Sequence, residues 1–354
     1  MNSAKGVEPW SPFALAVPIA SVRELGPMKI ALTVLLLFWG AVSAAGAASI
    51  RLYVTNSLGD DVSVIDLASM KRVQTFKVGN QVHGICASSD TRSFFVTIES
   101  ENNLKIVDSR TGSILSTIPL TGRPNQCGAT PDGHYVAVPI RDGNSVDIVD
   151  TRAKKVVKTL PVKVPHNSYN SGSNDVLWVS SMGDNEIDRI DLRRMEYTAH
   201  VPTGGIPRPY VVTKDGNTIY SALTDLHGFV VASVPEAKVI AKVELPAAPP
   251  LNCALEPNTP THGLELSPDG RRLWVTSLAD GLVYVYDAAS RRLLGHAAVG
   301  KCPNWITFSP DGRYCCISNS DSNDASIIDT ATMHEVARVP VGKGPKRLLA
   351  LNVP

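Results

Sequence analysis

The chain has 354 residues, with 34 Lys and Arg against 33 Asp and Glu and a formal net charge of +1. So even a balance excludes a general nucleic-acid binder, which needs a basic footprint. Apolar residues make up 44% and charged residues 19%, which excludes a disordered chain and is enough to build a large core.

Residues 1–27 hold no clear period and read as a leader, or as an upstream start outside the folded protein. Residues 28–47 read as a secretory signal peptide. Met28-Lys29 supplies the charge, Ile30 to Gly40 the apolar stretch, and Ala41 to Ala48 the small residues, with cleavage placed after Ala44 or Ala47. That apolar stretch is short for a membrane span, which takes roughly 20 residues, and the mature chain contains no other candidate. Residues 48–354 are expected to form a single exported domain, periplasmic or secreted.

A repeat runs through that domain. Tyr53 in Arg51-Leu52-Tyr53-Val54-Thr55-Asn56 has counterparts at Phe95, Ala137, Trp178, Tyr220, Trp274 and Cys316, in steps of 42, 42, 41, 42, 54 and 42 residues. Each copy continues through a polar turn into a second apolar run. In six copies that run ends in an acid, as in Val64-Ile65-Asp66, Ile148-Val149-Asp150 and Ile327-Ile328-Asp329, and these acids are assigned to turn capping. The fifth copy has Val231-Ala232-Ser233 instead. A third run follows, then a fourth that ends in a tight turn such as Thr130-Pro131-Asp132-Gly133 or Ser309-Pro310-Asp311-Gly312. Pro presets φ there and Gly accepts a positive φ. The runs are rich in Val, Ile, Tyr and Trp, as strands prefer.

Four short strands about every 42 residues are the signature of a propeller blade. The expected fold is therefore all-β: a seven-bladed β-propeller with four antiparallel strands per blade. The first copy lacks an innermost strand of its own. Pro345 to Leu351 matches one with no blade after it, so the C-terminus is expected to close the ring in the first blade and leave no open edge.

Tyr53-Val54-Thr55-Asn56, the Pro-Asp-Gly turns and the recurring Val-Gly-x-x-Pro segments resemble the YVTN-family β-propeller repeat across residues 49–354. The resemblance implies extracytoplasmic seven-bladed propellers. It also implies a shape related to the haem-binding propeller of cytochrome cd1 nitrite reductase and to nitrous oxide reductase. It does not settle function.

In such a ring, the starts of the innermost strands and the loops joining second and third strands share one face, around the channel mouth. Seven residues before each turn Asp stands a polar residue: His83, Asn125, Arg208, His262 and Asn304. The degenerate fourth copy gives His166, and the closing strand gives Lys346. Three histidines on alternate blades suit Cu, Zn or Fe. Asp60, Asp61, Glu99, Glu101, Asp184, Glu186, Asp225, Asp321 and Asp324, with His227, are further ligands or orienting partners. By resemblance, nitrous oxide reductase carries histidine-ligated copper at this end. The rival reading is a polar lining or an anion-binding mouth, carried by Lys346, Arg208 and Arg123 beside Asn125 and Asn304. Trp305 and Tyr210, next to the mouth, stack on a ligand or pack in the core.

The 54-residue step holds an insertion, Pro246 to Pro260, expected to form a stiff flap beside the mouth. An exported chain with six cysteines permits disulfides. Cys253–Cys302 would pin the flap. Cys86 and Cys127, on neighbouring innermost strands, pair or stand as small core residues. The adjacent Cys315 and Cys316 point to opposite strand faces and do not pair together.

The sequence thus suggests an exported binding or scaffold protein, a monomer, offering its channel mouth to a small molecule or a protein partner. The alternative is a metal-dependent oxidoreductase or lyase with His83, His166 and His262 as ligands and Glu99 or Glu265 as base. A lactonase-like hydrolase is third. No GxSxG elbow, P-loop, HExxH or dinucleotide fingerprint is present.

Overall fold

A strand with neighbours on both faces can be apolar without alternation, whereas one with a single neighbour alternates. Both kinds occur in every copy of the repeat. Ser93–Ile98 and Val176–Ser181 are buried at every position, while Lys238–Glu244 alternates half-buried with exposed residues. The first kind sits inside a blade and the second forms its outer rim.

The computed structural model describes residues 49–256 and 258–353. The expected leader and signal peptide, residues 1–27 and 28–47, lie outside the described residues. The described chain forms seven four-stranded antiparallel sheets, confirming the expected seven-bladed propeller. The innermost strands of blades two to seven are Val82–Ala87, Gly128–Ala129, Pro165–Tyr169, Pro207–Val212, Thr261–Leu266 and Pro303–Phe308. Blade one takes its innermost strand from the C-terminus: Pro345–Val353 pairs antiparallel with Ser49–Asn56, from Ser49 opposite Val353 to Asn56 opposite Pro345. The ring closes as the repeat implied.

The core lies between blades. Tyr53 and Val64 of blade one pack with Phe94 and Val96 of blade two. Leu52 and Val54 pack on the other side with Cys316 and Ile327 of blade seven. Five further clusters join the remaining neighbours in the same way. Trp178 and Trp274 are fully buried there, packed between neighbouring blades. The recurring acids cap their turns: Asp66 accepts the amides of Ala68 and Ser69, and Asp150 those of Arg152 and Ala153. In the four Pro-Asp-Gly or Lys-Asp-Gly turns, Gly133, Gly216, Gly270 and Gly312 all stand at a φ of 65 to 72°, where a side chain would be strained.

Each blade but the third carries a bulge at the start of its innermost strand, between Val82 and Ile85 in blade two and between Thr261 and Leu264 in blade six, for example. A bulge frees backbone groups and re-aims side chains. In five of the six bulged blades a freed amide is met by the hydroxyl that follows the apolar pair in Tyr53-Val54-Thr55; blade five has Ala222 there. Thr97, Ser180, Thr276, Ser318 and Thr55 accept the amides of Gly84, Asn167, Gly263, Trp305 and Arg347 at 2.7 to 3.2 Å. Thr55, Thr97 and Ser318 also donate to the carbonyls of His83, Asn125 and Lys346 in the next blade. The third copy has Pro139 at this position. There Asn125 donates its amide to the Pro139 carbonyl instead, and the innermost strand shrinks to Gly128–Ala129. The repeated hydroxyl therefore does structural work: it fixes the bulges that point residues at the channel.

Candidate functional site: the channel mouth

The bulges bring the predicted ring together. The rings of His166 and His262 lie 6.1 Å apart, and that of Trp305 is 6.2 Å from His262. His83, Asn125, His262 and Asn304 are buried and Arg208 nearly so. Across them reaches a residue that the one-position alignment passed over. Arg347 is 1% exposed, and its guanidinium sits 3.9 Å from the centre of the Trp305 ring.

All three imidazoles are neutral at neutral pH. Burial pushes His83 down to about 4 and His262 to about 3. Burial, with the nearby Arg347 and Arg208 charges, holds His166 well below its ordinary value. Each ring's Nδ1 meets an acceptor: the Glu99 carboxylate at 2.5 Å for His83, the Asn304 carbonyl at 2.8 Å for His262, and the side-chain oxygen of Asn167 for His166. The proton therefore rests on Nδ1, and Nε2 keeps its lone pair. Among the described residues, no Nε2 of the three has a partner.

The charges divide unevenly. Burial opposes ionisation of Glu99, but bonds from His83 and from the Arg123 guanidinium (Nε 3.0 Å, Nη2 2.5 Å) hold its carboxyl at about 2. Glu256 is likewise held at about 2 against its burial by His262, Lys346 and Arg208, and Lys346 meets it at 2.9 Å. Two cations are left over. Arg208 donates to Thr224 Oγ1 at 2.9 Å and to Asn258 Oδ1 at 3.4 Å, both neutral. Arg347 has no hydrogen-bond partner for Nε or Nη1, and burial pushes its guanidinium down to about 9. Neither arginine forms an ion pair among the described residues. The side-chain amide of Asn304 is buried with both atoms unpaired, as is the amide oxygen of Asn125.

The predicted flap is present and pinned by the Cys253–Cys302 disulfide. Its Glu256 and Asn258 supply contacts to Lys346 and Arg208, and Ala254 donates its amide to Asp321 at 2.9 Å. Cys86–Cys127 forms as well, joining blades two and three, while Cys315 and Cys316 stay free and buried.

Several predicted participants stand elsewhere. Of the acids in the loops between second and third strands, only Glu99 bonds to a ring residue. Asp60 and Asp61 are spent on the Gln81 amide and on Asn56 and Lys77, Glu101 on Lys105, and Asp184 on Lys163. His227 bonds Ser277 Oγ at 2.7 Å. Tyr210 lies beyond the bulge from Arg208. Its hydroxyl donates to the Asn167 carbonyl at 3.4 Å, and its ring lies 6.1 Å from that of Tyr169, away from the mouth. Glu265 lines a cavity farther along the channel. The three histidines do not form a closed metal set. The sets of His, Cys or acidic groups whose ligand atoms converge within 4.8 Å are Cys253, Cys302 and Asp321, and Glu186, Asp188 and His200, among the described residues. Two residues were missed, Arg347 and Glu256, and of these Arg347 had a signal. One position after the polar ring the sequence reads Gly84, Gln126, Asn167, Pro209, Gly263, Trp305 and Arg347, which sets the arginine and its stacking partner in adjacent blades.

Comparison with known proteins agrees on the fold. Residues 15–171 match a YNCE-like beta-propeller family model. Among solved structures, the chain is similar to dihydro-heme d1 dehydrogenase NirN (TM-score 0.61, 14% identity, 84% of this chain and 74% of that one). It is also similar to a functionally unknown protein from Desulfotomaculum acetoxidans DSM 771 (TM-score 0.71, 13% identity, 86% and 99%). A third likeness is to Kuenenia stuttgartiensis hydrazine synthase (TM-score 0.50, 20% identity, 73% and 99%). At these identities the likeness is one of fold. No curated protein matches the chain in sequence.

Proposed function

We propose that this propeller is an extracytoplasmic binding protein whose channel mouth holds a small anion bearing hydroxyl or N–H groups. The observation that carries this reading is Arg347, a buried cation with two unpaired donors and no carboxylate in contact. Burying a charge without a partner is costly, and a bound carboxylate or phosphate would supply the partner. Arg208 adds a second positive charge, and Asn304 Nδ2 a neutral donor. The lone pairs on His83, His166 and His262 Nε2 and the oxygen of Asn125 are acceptors, which suit the hydroxyl or N–H groups of the same ligand. The extracytoplasmic part of this reading is supported by the two disulfides, which persist in oxidising compartments.

Isothermal titration calorimetry with acetate, a hydroxy acid, a dicarboxylate and phosphate tests this reading. At least one should bind, with affinity falling tenfold or more in Arg347→Gln. Equal binding by both proteins, or no binding by the wild type, would defeat it.

The three-histidine metal site is a second reading, favoured by the Nδ1 bonds that leave each Nε2 free, as in metal-ligating histidines. The spacing of the rings and the two guanidiniums beside them weigh against a Cu, Zn or Fe ion there.

A further inference from the structure

All seven innermost strands run on from the mouth to a second cavity, of about 320 Å³, at the far end of the channel. It adjoins one of about 640 Å³ between blades five, six and seven. Both are lined by Tyr169 and Glu265, three residues beyond His166 and His262. The charge logic of the mouth is inverted here. Glu265 Oε1 accepts from the Leu266 amide at 3.1 Å and the Tyr169 hydroxyl at 3.3 Å, both neutral donors, and no cation pairs with it among the described residues. Aromatic rings line the same cavity: Tyr169, Tyr210 with its ring 6.1 Å from that of Tyr169, and Trp305. The Tyr210 hydroxyl is occupied by the Asn167 carbonyl, so what it offers the cavity is its ring.

We propose that this far cavity is a second site, for a small organic cation such as a primary or methylated amine, with Glu265 as counter-ion and Tyr169, Tyr210 and Trp305 as its aromatic walls. Ammonium groups are held by ring faces together with a carboxylate in apolar surroundings. A lone carboxylate without a like-charged neighbour suits one positive charge better than a divalent metal, which gathers several oxygens. The groups facing Glu265 are the Tyr169 hydroxyl from blade four, Tyr210 from blade five and the buried thiol of Cys315 behind it. Lys214, Asp215 and Asp269 stand at the rim of the adjoining cavity, with Lys214 bonded to the Pro268 carbonyl at 2.9 Å. Burial raises Glu265 to about 7, so the site charges across neutral pH.

The test is titration of the full-length mature protein with butylammonium and tetramethylammonium chloride at matched ionic strength, from pH 6 to pH 8. A carboxyl titrating at about 7 goes from roughly one-tenth to nine-tenths ionised over that range, so affinity should rise roughly tenfold. Glu265→Gln should lower affinity about tenfold at pH 8 and flatten the profile. Arg208→Gln, which removes a mouth cation bonded to Thr224 and Asn258, should weaken anion binding and leave amine binding unchanged, so this site and the anion site fail separately. Failure of both amines to bind wild-type protein at millimolar concentration, a flat wild-type pH profile, or equal binding by Glu265→Gln would overturn the proposal. The wild-type profile decides the matter even if the variant does not fold.

Discussion

Replacing Arg347 with Met should stabilise the free protein while ending its capture of anions. The wild-type side chain is 1% exposed and its guanidinium is pushed from 12.5 to about 9 by burial. A folded-state value below the unfolded one means that folding works against the charge at every pH below about 9. The shift corresponds to about 5 kcal/mol. Met keeps the apolar stem and its contact with Trp305 but forfeits the stacked cation, a loss of about 2 kcal/mol. The net gain is therefore on the order of 3 kcal/mol. For a domain of this size that is a rise in melting temperature of about 6 °C, at roughly 2 °C per kcal/mol. The assay is thermal unfolding in an inert buffer, repeated with a saturating anion found by calorimetry. The anion should raise the wild-type midpoint by mass action and leave Arg347→Met unmoved. A variant that melts below wild type without ligand would show that Arg347 is a satisfied structural residue, and the argument from its unpaired donors would collapse.

Four other outcomes follow from the same structure. Deleting residues 346–354 removes the strand that buries Leu348, Leu351 and Val353 against Ser49–Asn56. At roughly 2 kcal/mol per side chain the loss is about 6 kcal/mol, so the truncated protein should show no cooperative melt at the wild-type temperature by circular dichroism. Acidification should destabilise the fold through its buried imidazoles. His83 and His262 are held at about 4 and about 3, below their unfolded value of 6.5. At these two histidines the unfolded chain takes up protons first, so between about pH 6.5 and pH 4 His83 alone costs about 3 kcal/mol of stability, opposed by Glu265, whose raised value makes the folded protein bind its proton first; a His83→Asn variant whose stability follows the same pH dependence as wild type in denaturant titrations would contradict the neutral imidazole. Reducing Cys253–Cys302, or changing both to Ser, should free the flap that carries Glu256 and speed anion dissociation several-fold in stopped-flow traces, with the melting temperature changed by only a few degrees. Elemental analysis of protein purified without chelator should find no stoichiometric Cu, Zn or Fe, and about one ion per chain, lost when His83, His166 and His262 are all replaced, would move the reading to a metal enzyme.

The ring was readable because a blade has a local cause. Each copy writes its own strands and turns, and Thr55, Asp66 and Gly133 mark the bulge, cap and turn that recur. The closing strand was readable because one copy lacked an innermost strand and the C-terminus had one to spare. The mouth was only half readable. Aligning one position per blade found His83, His166, His262 and Arg208, because residues equivalent in the repeat become equivalent around the axis. Arg347 escaped because the bulge turns two consecutive residues toward the channel, and alternation in a regular strand allows one. Glu256 escaped because it sits in the insertion, which has no counterpart in other blades. Tyr210 was set beside the mouth, and Glu265 offered as a base for it, because distance along the strand axis is not visible in an alignment that compares blades only with one another. Which loop acids reach the ring was also out of reach. Asp61, Glu101 and Asp184 are neutralised by the lysines Lys77, Lys105 and Lys163, and those pairings depend on the packing of adjacent loops.

The measurement that bears most directly on the central claim is native mass spectrometry of the protein purified under mild, non-reducing conditions, beside Arg347→Gln prepared in the same way. A single small-molecule adduct on the wild type, anionic when released and missing from the variant, is what the unpaired guanidinium predicts. A bare wild-type mass that no added carboxylate or phosphate can shift, or an adduct that survives in Arg347→Gln, would contradict the assignment of the channel mouth as an anion site.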